Sequence, residues 1–407
     1  MTKQRYFFLI LILGTLTALS PFSIDMYLPG FQAIAKDLHT TTARVSLSLS
    51  SFFIGIGGGQ LLYGPLMDRF GRKKPLYIGL CVYILASVGC FLSKSVDALI
   101  AIRFIQAVGS CAAGVAAMAM VRDIFPVKEN AKVFALLVLV LGASPMVAPT
   151  VGGYLTAGFG WQSVFMVLLS IAALILLAVI FVLPESYQPD PDFSLHPVSI
   201  VNNFLQVIKE PQFYTYAISG SIAFSGLFAY VSGAPLVFMD VFHLNNKEFG
   251  WVFAGLSVGF IGSSQVNSLL VRTHKSEHII FVSLICQAII GALFFVGAYN
   301  GWYGLYPTIA MIFLFLCCVG ILNPNAAALS LAPFSKNAGS ASALMGALQL
   351  GIGSLVSIAV SLFSSHSALP LSAIMLVSTL IALLILIIGR RHITAPVAAA
   401  TSAVTAH

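Results

Sequence analysis

Gly64-Pro65-Leu66-Met67-Asp68-Arg69-Phe70-Gly71-Arg72-Lys73-Lys74-Pro75 is the most charged stretch of a chain that is otherwise almost wholly apolar. A long apolar run flanks it on each side. An Arg or Lys at the centre of a bilayer costs about 2.5–3.5 kcal/mol even on the lenient insertion scale. Arg69, Arg72, Lys73 and Lys74 therefore cannot sit together in hydrocarbon, and the stretch reads as a tight basic loop on one membrane face. Pro65 and Pro75 are expected to stop and restart helices, and Gly64 and Gly71 to supply the sharp turns. Asp68 is the exception in a basic loop: a solvated charge, a cap on a nearby helix N-terminus, or a partner for Arg69 or Arg72.

The rest of the composition agrees. Of 407 residues, 59% are apolar and 8% charged, against about 25% charged in a soluble globular chain. The fold class expected is an all-α polytopic membrane protein. Its net charge of +7 belongs to loops that collect Lys and Arg on the cytoplasmic side, not to a nucleic-acid surface. Lys3 and Arg5 before an apolar run look like the start of a signal peptide, but the run outlasts a typical one and reads as an uncleaved first helix. Six cysteines all fall in apolar segments without metal-ligand spacing and read as small core residues.

A spanning helix needs about 20 apolar residues. That rule yields twelve spans, at 6–31, 43–64, 75–93, 97–120, 131–157, 161–183, 212–238, 248–271, 278–299, 304–331, 339–363 and 368–389. With the N-terminus inside, fifteen of the 20 Lys and Arg fall on inner segments. Only Lys36, Arg44, Lys94 and Lys247 fall on outer ones, and Arg103 lies within a helix. Both termini are thus expected in the cytoplasm. The longest connection, 184–211, divides the chain into an N-terminal six-helix half (1–183) and a C-terminal one (212–391), followed by an Ala/Thr/Ser-rich tail (392–407) expected to be disordered. The connection opens with Pro184, Pro189 and Pro191. It then carries Val198, Val201, Leu205 and Ile208 at helical spacing, which suits a short amphipathic helix on the inner surface.

The halves repeat weakly. Tyr27-Leu28-Pro29 near the end of helix 1 matches Ala234-Pro235-Leu236 near the end of helix 7. Gly59-Gln60-Leu61 matches Ser264-Gln265-Val266. Two pseudo-symmetric six-helix halves are a transporter architecture, with substrate bound near the midplane where the halves meet.

Several intramembrane residues carry candidate chemistry. Asp25 is the only acid inside a span and clear of its ends. An ionised carboxylate in hydrocarbon is expensive, so it is a functional candidate, here a proton carrier, with a structural partner for a helix end or Arg103 as the alternative. Helix 4 places Arg103, Gln106, Ser110, Ala113, Gly114 and Ala117 on one face. Arg103 is either a buried cation biasing a carboxylate or substrate, or an arginine snorkelling outward. Helix 5 places Gly142, Pro145, Pro149, Gly152 and Gly153 on one face, for packing or a specialised contact. Helix 2 offers Phe53, Gln60 and Gly64 as a cavity wall. Asn323-Pro324-Asn325 in helix 10 either contacts substrate or satisfies a kink. Tyr27, Phe53 and Tyr154 are the candidate cavity aromatics.

The 64–75 pattern resembles the Gly-x-x-x-Asp-Arg-x-Gly-Arg-[Arg/Lys] loop between helices 2 and 3 of the major facilitator superfamily. The stretch from Arg103 to Gly109 resembles that family's Arg-x-x-Gln-Gly motif, with Ala107 for the first Gly. Residues 142–153 resemble its antiporter motif, with Ala148-Pro149 for Gly-Pro. Together with Asp25-Met26-Tyr27-Leu28-Pro29, Arg122-Asp123-Ile124-Phe125-Pro126 and Ala148-Pro149-Thr150-Val151-Gly152-Gly153, the chain looks like the bicyclomycin/chloramphenicol-resistance (Bcr/CflA) branch of drug:proton antiporters. The resemblance implies a twelve-helix exporter in the bacterial inner membrane that exchanges protons for small, mostly neutral antibiotics. It implies an inner gate in which Asp68 meets the start of helix 11 near Asn337 while Arg69 or Arg72 meets Asp123. Some related exporters carry a second acid earlier in helix 1; this chain has Thr17 there.

The expectation is a monomeric, proton-coupled antiporter of small amphipathic drugs or metabolites. Its proton-coupling residues are Asp25 and Arg103, and its substrate contacts are Tyr27, Phe53, Gln60, Gln106, Tyr154, Asn323 and Asn325. Its partners are substrate, protons and lipid, with no nucleic acid, no metal and no cofactor beyond the proton gradient. The competing reading is a facilitator or importer of a sugar or nucleoside, which needs neither the acid nor the proline-glycine helix 5. A membrane-embedded enzyme would need clustered His, Asp or Ser in the membrane. The eight histidines lie instead at loops, helix ends or the tail.

Overall fold

The computed structural model describes residues 3–189, 197–334, 338–363 and 367–393. Among them, twelve spans are long and apolar enough to cross a membrane. The helices are α1 (Lys3–Asp25), α2 (Phe31–Asp37), α3 (Thr42–Phe70), α4 (Lys73–Phe91), α5 (Val96–Ile124), α6 (Val127–Phe159) and α7 (Gln162–Phe181). They continue with α8 (Pro197–Ile208), α9 (Pro211–Ala234), α10 (Asn246–Leu270), α11 (Ser276–Tyr299), α12 (Leu305–Leu331), α13 (Ala338–Ser361) and α14 (Leu369–Gly389). The expected tail from residue 394, and residues 190–196 of the connection, lie outside the described residues.

The chain groups into two compact units. One comprises Met1–His196 with Asn245–Ala254, the other Pro197–Leu244 with Gly255–His407. In the first, α5 is central and packs on α3, α4 and α1, while α1 also packs on α6, and α4 on α7. In the second, α9 is central, against α12, α13 and α14. Polar side chains on α9 (Gln212, Thr215, Ser219, Ser221, Ser225, Ser232) are all buried.

Three expectations about helix ends are corrected. The 64–75 stretch is not a loop throughout: α3 runs on through Pro65 to Phe70. A proline this near a helix end removes one hydrogen bond, to the carbonyl of Leu61, and the helix continues past it. Gly64 is therefore helical, and Gly71 alone makes the turn, at φ +84°. Pro75 sits in the first turn of α4, where an N–H has no helical partner in any case.

The first span is also not one continuous helix. α1 ends at Asp25, a turn follows, and Leu28–Gly30 form a 3₁₀ turn before α2. Pro29 is the cause, since it lacks the N–H that would bond the carbonyl of Asp25. The seventh span changes in the matching place: from Pro235 to Val241 it becomes π-helical. The two weakly repeated proline segments are thus the two places where a long span leaves α-helical geometry.

Part of α5 packs directly on its neighbours, with Ala107, Gly109 and Cys111 against α3 and α4. A Cβ on Gly55 would stand 2.6 Å from the Cβ of Ala107 and 2.7 Å from the carbonyl oxygen of Phe104. One on Gly59 would stand 2.8 Å from the Cβ of Cys111. On the other side, a Cβ on Gly109 would stand 2.6 Å from the Tyr83 amide nitrogen and 2.7 Å from the Gly79 carbonyl oxygen. Small residues let α3 and α4 approach α5 to backbone contact, which is how apolar helices associate without a hydrophobic drive between them.

In α8, Val207 is buried with Phe213, Ala217 and Ala341, and Val201 and Leu205 are exposed.

Gly109→Val is expected to force α4 off α5 and to destabilise the protein by about 1–3 kcal/mol, the usual cost of overpacking. Gly114→Ala, on the same helix with open space at the Cβ position, is expected to leave stability unchanged or raise it. Thermal unfolding in detergent separates them, and equal midpoints would contradict the packing described.

Candidate proton-coupling and gating sites

Asp25 is the last residue of α1 and is buried. Its carboxylate has no hydrogen-bond or ion-pair partner among the described residues. α6 closes on this point, because a Cβ on Gly152 would collide with the main-chain carbonyl of Met26. The glycine is what allows α6 to lie against the broken part of the first span.

Arg103 is fully buried on α5. Its Nη1 donates to Gln106 Oε1 at 2.6 Å and its Nη2 to the Ser23 carbonyl at 2.9 Å. The guanidinium lies over Phe52 at 4.1 Å and Tyr27 at 4.8 Å from the ring centroids, as suits a weakly hydrated planar cation. The network extends further: Gln106 Nε2 donates to Ser87 Oγ, Ser23 Oγ bonds Tyr83 OH, and Tyr27 OH bonds Ser48 Oγ. Arg103 Nε has no partner. Arg103 and Asp25 are therefore not brought together as an ion pair. The terminal nitrogens are committed to Gln106 and to the backbone two residues before the acid.

The candidate substrate contacts separate into two groups. Tyr27, Phe53, Gln106 and Asn325 are buried, at 1%, 1%, 0% and 2% exposure. Tyr27 and Gln106 are bonded within their unit. Gln60 is half-buried, and Tyr154 is exposed with Lys247 Nζ 4.9 Å from its ring centroid. Asn325 Nδ2 donates to Asn267 Oδ1 at 2.6 Å and to the Ile321 carbonyl at 2.8 Å, serving the helix around Pro324. Asn323 is half-buried and accepts from Gln349 Nε2 at 2.9 Å.

The antiporter-like residues Gly142, Pro145, Pro149, Gly152 and Gly153 all lie within a continuous α6. Beyond Gly152, a Cβ on Gly153 would collide with the carbonyl of Asn246, at the start of α10, and one on Gly250 would stand 2.9 Å from the Pro149 carbonyl oxygen.

At the charged stretch, Arg72 is the buried centre. Nη1 donates to Asp68 Oδ1 at 2.7 Å and Nε to Asp123 Oδ2 at 2.8 Å. Of the two arginines considered for Asp123, Arg72 is the one that reaches it. Burial works against its charge, but hydrogen bonds to Asp123 and Asp68 outweigh that and hold the guanidinium above its ordinary value. A raised value means that the guanidinium keeps its charge at every pH below the arginine range. Asn337, the expected neighbour of Asp68, lies outside the described residues.

The sequence reading missed Glu185. Its carboxylate accepts from the amides of Arg72 at 2.9 Å and Lys73 at 3.1 Å, capping α4 from outside the helix. Lys73 Nζ donates to the Leu183 carbonyl, Ser186 Oγ to Asp123 Oδ2, and the Tyr187 ring lies 4.2 Å under the Arg72 guanidinium. A Cβ on Gly71 would stand 3.1 Å from Glu185 Oε2. The available signal was an acid at a helix exit on the same membrane face as four basic residues.

A family model, Major Facilitator Superfamily, matches residues 13–358. The chain belongs to the major facilitator superfamily. It is 31% identical to a bicyclomycin resistance protein homolog of Haemophilus influenzae, over 91% of this chain and 92% of that one. It is 26% identical to a chloramphenicol resistance protein of Pseudomonas aeruginosa, over 89% and 85%. These relatives support its place in the bicyclomycin/chloramphenicol-resistance branch. Its fold matches a solved bacterial homolog of the lysosomal transporter Spinster, with a TM-score of 0.76 at 14% identity over 96% of this chain and 98% of that one. A superfamily member with twelve apolar spans is a transporter and a multi-pass protein of the bacterial inner membrane.

Arg72→Gln leaves Asp68 and Asp123 without their shared cation and is expected to destabilise the protein by about 1.5–3 kcal/mol, the range for hydrogen bonds to charged groups. Arg72→Lys, a single point charge that cannot donate along two directions, should fall between. Unfolding midpoints equal to wild type for both would show that the clamp contributes nothing.

Proposed function

We propose that this transporter exports small amphipathic compounds, drugs among them, in exchange for protons entering the cell. The observation that carries the reading is Asp25: a buried carboxylate without a partner, at the break of the first span. Such a group is tolerated at membrane depth only where it takes up a proton, meets water or finds a cation. The broken helix gives it a neighbourhood that alternates at low cost, because no continuous ladder of hydrogen bonds must be disrupted around Met26 and Tyr27. Protonation from the outside and release to the inside then drive alternating access. Names carried by relatives supply the cargo class: bicyclomycin and chloramphenicol resistance. Arg103 acts in this scheme as a positioning residue. By holding the Ser23 carbonyl it fixes the last turn of α1 and thereby where Asp25 stands. The Arg72 clamp, with Asp68, Asp123 and Glu185, belongs to the cytoplasmic gate, and the excess of Lys and Arg on that side puts both termini inside.

Everted membrane vesicles test direction and topology in one preparation. Energised vesicles are expected to accumulate members of a panel of amphipathic compounds and to lose them when a protonophore collapses the gradient. A C-terminal tag should be cut by protease in everted vesicles but not in intact cells. Accumulation that ignores the protonophore would contradict proton coupling, and a tag cut in intact cells would contradict the orientation.

A further inference from the structure

Asn323 and Asn325 flank Pro324, and the structure gives them different work. Asn325 turns inward, is 2% exposed, and uses both its recorded bonds inside its unit. Asn323 turns the other way, is half-buried, and meets Gln349, also half-buried, at the midpoint of α13. The bond between them uses one donor of Gln349 and the acceptor of Asn323. Neither side chain has a second partner among the described residues. Asn323 Nδ2 and Gln349 Oε1 therefore remain, a donor and an acceptor on two joined amides. Exchanging nitrogen and oxygen on both side chains leaves the same pattern, one free donor beside one free acceptor. Ala327 one turn along α12 and Gly346 one turn back along α13 are small, and both amides stay half-open. Amide groups half-open at this depth do not face hydrocarbon without cost, since an amide moved from water to an apolar medium without a partner is strongly disfavoured.

We infer that the Asn323–Gln349 pair is a recognition site for uncharged ligands that carry an adjacent hydrogen-bond donor and acceptor, the edge of a lactam or other cis amide. Such an edge offers N–H to Gln349 Oε1 and C=O to Asn323 Nδ2 together, while its ring body packs over Ala327 and Gly346. The inference rests on the reading that this chain moves small amphipathic molecules, and it adds the polar group by which some of them are selected.

The test uses full-length protein purified in detergent and two probes: 2-quinolinone, whose ring holds N–H and C=O cis, and 1-methyl-2-quinolinone, which has lost the N–H. Wild type is expected to bind the first about five- to tenfold more tightly, the effect of one good neutral hydrogen bond at a desolvated site. In Asn323→Leu, which removes the partner of the C=O that both probes keep, both are expected to bind about five- to tenfold more weakly. In Gln349→Met, which removes the partner of the N–H, the ratio is expected to fall to about one. In Asn325→Ala, which removes the inward amide, it should persist. A pair that only ties α12 to α13 would leave the ratio unchanged in Gln349→Met and both affinities unchanged in Asn323→Leu, and this result would overturn the inference. Wild type that binds both probes equally, or neither, would overturn it without recourse to any variant. Binding in detergent needs no gradient, so a lactam preference in a protein that exports nothing from energised vesicles would refute the export reading alone.

Discussion

A guanidinium buried at membrane depth must satisfy its donors locally, and the first unit is arranged around how Arg103 does so. Its bond to the Ser23 carbonyl ties α5 to the last turn of α1. Gln106 and Ser87 carry the network to α4. Phe52 and Tyr27 cover the faces of the cation. Removing one partner from such a site leaves an uncompensated charge, which is far more damaging than the net worth of any single bond. Asp25 stands two residues from the anchored carbonyl and outside this network. Both terminal nitrogens of the cation are engaged and the acid is not, and that asymmetry is the basis for assigning structure to one and proton exchange to the other.

The small residues follow from the same constraint. Helices can share a buried polar network only if their axes come close, and Gly55, Gly59, Gly79 and Gly109 remove the side chains that would hold α3 and α4 away from α5. Gly152 does the same for α6 against Met26. At the membrane face the solution differs because water and charge are available. There Arg72, two aspartates and Glu185 join α3, α4, α5 and the exit of α7 through ion pairs and a helix cap.

Much of this was legible in the residues. The twelve apolar runs, the charged stretch at 64–75 and the single intramembrane acid each follow from one dominant cost, that of placing charge in hydrocarbon. What was not legible depends on neighbours. Periodicity shows that Arg103, Gln106 and Ala113 share a face, but not whether that face meets a cavity or another helix. Pro65 reads as a stop, yet near the end of a long helix it removes only one bond and α3 continues. Glu185 lies more than a hundred residues from the amides it caps, and no local pattern joins them. Asn323 and Asn325 could have been separated from the sequence: residues two apart on a helix point to nearly opposite sides, so a single role for both was never available.

The central claim is that Asp25 carries the proton, and substrate-linked proton release tests it most directly. Purified protein in weakly buffered detergent, with a pH-sensitive dye, is mixed with a compound that energised vesicles accumulate. Wild type is expected to release protons on binding, and Asp25→Asn to release none while calorimetry still detects binding of the same compound. Equal release from Asp25→Asn and wild type would place the proton on another group and contradict the assignment.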